Sequence, residues 1–79
     1  MRDAIVRFLQ RSWPDCDSLM PRLLDPRPTD RTFVQAAISL QEDGLIMYEV
    51  LLIGAGPEPE IRDALLTRKG QLWRLDRPG

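Results

Sequence analysis

Seventy-nine residues make one domain near the small end of what sustains a hydrophobic core, a size at which roughly 60% of the unfolded chain's surface is removed from water. Hydrophobic residues at 43% and charged residues at 29% are ordinary for a globular chain and exclude a disordered or fibrous one, and the most apolar run, Ile46 to Ile53, is interrupted by Glu49 and too short to span a membrane. The formal net charge of −1 gives no overall attraction to nucleic acid, while the absence of histidine and the single Cys16 exclude a zinc site, an internal disulfide and a histidine-based catalytic dyad.

The first element is an amphipathic helix over "RDAIVRFLQRSW". Ala4, Ile5, Phe8 and Leu9 share one broad face, Arg7, Gln10 and Arg11 oppose them, and Pro14 ends the helix by pushing its predecessor out of helical geometry. The stretch "DCDSLMPRLL" has cap-type residues at Asp15, Asp17 and Ser18 ahead of Leu19, Leu23 and Leu24, which predicts a short second helix with Pro21 in its first turn. Pro26 and Pro28 break it and leave a loop. A third helix follows from about Thr32 to Asp43. Asp30 or Thr32 is its expected cap, Thr32 and Gln35 match a T-x-x-Q capping box, Phe33, Ala36, Ala37 and Leu40 form its inner face, and Gly44 stops it. Thr32, Gln35, Ser39 and Glu42 are expected to point outward.

From Leu45 to Ile53 the pattern turns strand-like, and "IRDALLT" returns as a second strand of a hairpin. The stretch between them, "VLLIGAGPEPE", imitates the glycine turn of a dinucleotide site. Pro59 stands where the third glycine belongs, Glu58 and Glu60 would face a pyrophosphate, and too little chain follows for a ribose-binding acid, so no cofactor is expected. Thr67 can cap a last short helix with Leu72, Trp73 and Leu75, although "QLWRL" also reads as a strand. Phe8, Leu9, Leu23, Phe33, Leu40, Ile46 and Leu65 are the expected core, with Trp13 and Trp73 in the core or at its rim.

Helix, helix, helix, hairpin, with "LQEDGLI" leading into the first strand and "LT", two residues and glycine after the second, resembles the winged helix-turn-helix, in particular the PadR-like and MarR-like bacterial regulators. That resemblance implies an α+β fold with a three-helix core and a two-stranded wing as one domain over residues 1–79. It also implies duplex DNA as the partner, with the third helix in the major groove. Arg31 and the Arg68/Lys69 pair then face phosphate, while Thr32, Gln35 and Ser39 face the bases on the same side of the molecule. Glu58 and Glu60 at the wing tip and the missing long C-terminal helix depart from the family pattern. The alternative is an interaction module that docks a protein through the acidic wing and the strand edge. The chain is expected to be a cytoplasmic non-enzyme, acting in transcriptional or prophage-type regulation as a monomer or as a homodimer.

Overall fold

In the computed structural model, which describes residues 1–72, the chain forms helix α1 (Arg2–Ser12), strand β1 (Asp17–Leu19), a single 3-10 turn (Pro21–Leu23), helix α2 (Asp30–Glu42), strands β2 (Ile46–Met47), β3 (Val50–Leu52) and β4 (Glu60–Leu66), and the short helix α3 (Arg68–Gln71). The class is α+β, with a four-stranded antiparallel sheet. Ile61 of β4 pairs with Leu19 of β1 and with Leu51 of β3, so β1 lies along one side of β4 while β2 and β3 lie end to end along the other. None of the described helices is long and apolar enough to cross a membrane.

The core is the space between this sheet and the two long helices. Ile5, Val6 and Leu9 of α1 and Phe33, Ala36, Ala37 and Leu40 of α2 meet Leu19, Ile46, Ile61, Ala64 and Leu66 of the sheet. Ile61, Ala64 and Leu66 all face inward because the strand slips by one residue at Arg62–Asp63. Asp63 takes a positive φ of 54°, and the pairing with β1 shifts there, as a bulge requires.

The second helix of the sequence reading is not formed. Pro21 forces Met20 into extended geometry (φ −139°, ψ 161°), so the residues before it are strand and those after it only a 3-10 turn. Leu23, expected inside, is 47% exposed, and Phe8 and Leu65 are half-buried. The α2 helix begins two residues earlier than expected: Thr29, extended after Pro28, is the cap, and its hydroxyl accepts the Thr32 N–H at 3.1 Å. The T-x-x-Q capping box is therefore unused. The expected strand from Leu45 to Ile53 is broken at Tyr48–Glu49 into β2 and β3. Trp13 is 43% exposed, a rim position. Trp73, Leu75 and the strand alternative for that segment lie outside the described residues.

The two sequence signatures that carried the resemblance meet in space. Gly44 ends α2 at φ 75°, and its carbonyl accepts the Thr67 hydroxyl. That same hydroxyl accepts the Gly70 N–H at 3.0 Å, so Thr67 caps α3, as read from the sequence. The Thr67 N–H bonds the Leu45 carbonyl, and Lys69 Nζ donates to the Asp43 carbonyl at 2.9 Å. Gly70 sits so close to this strand start that an added Cβ would lie 1.9 Å from the Leu45 carbonyl oxygen. Only glycine fits.

Candidate nucleic-acid interface

At about 100° per residue, the side of α2 opposite Phe33, Ala36, Ala37 and Leu40 carries Arg31, Gln35, Ile38 and Glu42, with Thr32 and Ser39 on one flank. Arg31, Thr32 and Gln35 are exposed, whereas Ser39 is half-buried. Thr32 is occupied locally, since its hydroxyl oxygen accepts from Thr29 Oγ1 at 2.9 Å. Ile38, which the sequence reading did not single out, is 38% exposed near the middle of the outward stripe. Its signal was available: it is the one large apolar residue on the polar side of that helical repeat.

Arg68 and Lys69 are exposed at the start of α3. They do not gather beside Arg31. Lys69 caps the last turn of α2, whereas Arg31 lies in its first, so the two cations stand roughly 18 Å apart along the helix axis. One hydrogen bond to Asp43 leaves Lys69 with two further donors. At this same end Arg2 of α1 forms an ion pair with Asp43. Tyr48 also lies near this end, and burial, followed by the neighbouring Glu42 carboxylate, raises its pKa above the ordinary value.

The hairpin loop differs most from expectation. Glu58 is not a tip carboxylate facing outward, because its side chain is only 7% exposed. It accepts the Arg22 N–H at 3.1 Å and forms ion pairs with the Arg22 and Arg27 guanidinium groups at 3.4 and 3.5 Å. A carboxylate with this desolvation needs such partners, and the segment ahead of α2 supplies them. Glu60 is satisfied along its own strand by Arg62 at 3.3 Å. The acidic wing is therefore neutralised, and Arg22 and Arg27 are partly engaged before any phosphate arrives.

Folded back in this way, the loop stands beside the first turns of α2 and leaves a groove of about 340 Å³. Val34, Ile53, Pro57 and Pro59 make it mostly apolar, and Arg31 and Gln35 stand on its helix side. Among the described residues no group of His, Cys, Asp and Glu has the arrangement of a metal site. The chain matches no protein-family model, no curated protein and no solved structure.

Proposed function

We propose that this chain is a small winged-helix protein that binds duplex DNA and acts in transcriptional or prophage-type regulation. The observation that carries this reading is the free outward face of α2, exposed from Arg31 to Glu42 and flanked by a hairpin loop on its N-terminal side. A helix with one open face is the element that a B-DNA major groove admits. Its side chains have suitable chemistry: Arg31 suits guanine or phosphate, Gln35 suits adenine, Ile38 suits a thymine methyl, and Glu42 can accept from cytosine. Arg31, Arg68 and Lys69, spread over the length of α2, are suited to phosphates on either side of the groove, with Thr32 and Ser39 at the flank as secondary contacts.

The test is a fluorescence-anisotropy titration of labelled duplex at several salt concentrations. Neutralising about three phosphates predicts a log–log salt slope near −2.7, and Arg31→Glu should weaken binding and make that slope shallower by about one. Wild-type protein that fails to bind duplex at low salt would end the reading.

A second reading, a winged-helix module that binds protein and not DNA, is favoured by Ile38 and by the exposed Met47, Val50 and Ile53 around the hairpin. With Glu58 turned inward, such docking would use apolar surface and not wing acidity. It predicts that Ile38→Lys abolishes partner binding while DNA affinity stays negligible throughout.

A further inference from the structure

The groove between α2 and the hairpin loop is lined by two charges that the described residues leave unpaired. Asp30 and Arg31 stand on its helix side, both exposed, and neither forms an ion pair among the described residues. They do not pair with each other, because consecutive residues of a helix point about 100° apart. Glu58, the remaining carboxylate of the lining, is already held by Arg22 and Arg27.

The rest of the groove is largely apolar and only partly covered. Val34 is half-buried on the helix and Pro59 is buried just ahead of β4, whereas Pro57 and Ile53 are exposed, Ile53 by 64%. The space is about 340 Å³. A cavity of about 150 Å³ takes up benzene, so this groove has room for a larger apolar body together with a polar head.

We propose that the groove binds a free α-amino acid with a large apolar side chain. Its carboxylate meets the Arg31 guanidinium, with the Gln35 amide, one turn further along the same face, as a second donor. Its ammonium meets the Asp30 carboxylate, and its side chain covers Val34, Ile53 and Pro57. The pair of neighbouring, opposite charges is what selects this class. A simple carboxylate would set its own charge beside Asp30, and an amine would set its own beside Arg31; a ligand with both groups on one carbon satisfies the two at once. A peptide terminus supplies only one of them. Arg31 and Gln35 are also DNA contacts in the reading above, but this site is measured on the chain alone and stands or falls separately from DNA binding.

Titration of L-leucine into the isotope-labelled whole chain, followed at the backbone amides of Val34, Gln35 and Ile53, should show one saturable process in the millimolar range. Alanine, which lacks the apolar body, should bind about tenfold more weakly or worse. Isocaproate, which is leucine without its ammonium, and isoamylamine, which is leucine without its carboxylate, should each lose about three- to tenfold. The charge variants separate the two ends of the ligand. Asp30→Asn should weaken leucine by a similar factor and leave isocaproate no weaker, whereas Arg31→Gln should weaken leucine and isocaproate alike. Both positions are exposed, so neither substitution opens the core. An absence of saturable change up to about 20 mM leucine overturns the proposal. So does isocaproate or isoamylamine binding as tightly as leucine, since the groove would then take a simple acid or amine, and so does an Asp30→Asn variant that keeps the wild-type leucine affinity.

Discussion

The two ends of α2 are held by different means. At the C-terminal end the helix is sealed: Gly44, Leu45, Thr67, Lys69 and Gly70 share backbone carbonyls, a hydroxyl and one close contact, and Arg2 adds an ion pair from α1. At the N-terminal end Thr29 caps its own helix, and the hairpin loop stands across a groove and is tied by Glu58 to Arg22 and Arg27 instead. A helix end sealed by backbone contacts resists any side chain larger than the one present. A loop separated by a groove and fastened by charge has no such steric limit, and it faces the part of α2 that carries Arg31 and Gln35.

The largest expected break in this contrast is Gly70→Ala. Its methyl meets a backbone carbonyl that cannot rotate away, so α3 must leave the strand start, at a cost of about 1–3 kcal/mol despite the better helix propensity of alanine. Chemical denaturation measures the loss; an unchanged midpoint would mean that the close approach is not maintained in solution.

Glu58→Lys comes next, as a loss of folding stability. It places a third cation between Arg22 and Arg27 and leaves the Arg22 N–H without its acceptor, which should cost about 1–2 kcal/mol, moderated because both guanidinium groups are more than half exposed. Glu58→Gln should lose less, since an amide oxygen can still accept the N–H. If the lysine variant matches wild type in stability, the loop is not fastened in this way.

Smaller effects separate the two threonine caps. Thr67→Ala should cost about 1 kcal/mol and Thr29→Ala about half that, because the Thr67 hydroxyl serves both its own helix and the Gly44 carbonyl, whereas Thr29 serves only local partners. Equal losses would remove the distinction between the ends.

The smallest effect is alkaline. A phenol whose pKa is raised on folding contributes stability that is fully present below its ordinary value near 10.0 and is lost as pH rises through the raised value. Tyr48→Phe should therefore leave stability near pH 8 almost unchanged and flatten its fall toward roughly pH 11, as read from urea midpoints at the two pH values. A variant with the wild-type alkaline profile would show that Tyr48 does not titrate against the fold.

The sequence by itself determined what neighbouring residues decide. The apolar periodicity of α1 and α2, the stop at Gly44, the cap at Thr67 and the hairpin between two apolar runs depend on side-chain spacing, on a left-handed backbone and on a hydroxyl reaching its own turn; those forces act within a few residues. What only the tertiary structure decided depends on distant partners. Asp17–Leu19 is a strand because β4 is there to pair with it, and the caps and leucines around it read equally well as a helix until Pro21 is given a strand before it. Glu58 turns inward because Arg22 and Arg27, 36 and 31 positions away, reach it, while local composition describes an acidic tip. Of the candidate interface, the exposure of Thr32 and Gln35 was legible from the helical period, while the half-burial of Ser39 and the separation of Arg31 from Lys69 were not. Periodicity fixes which side of a helix a residue takes; which end of α2 receives a lysine 26 residues beyond Asp43 depends on how the hairpin between them folds back.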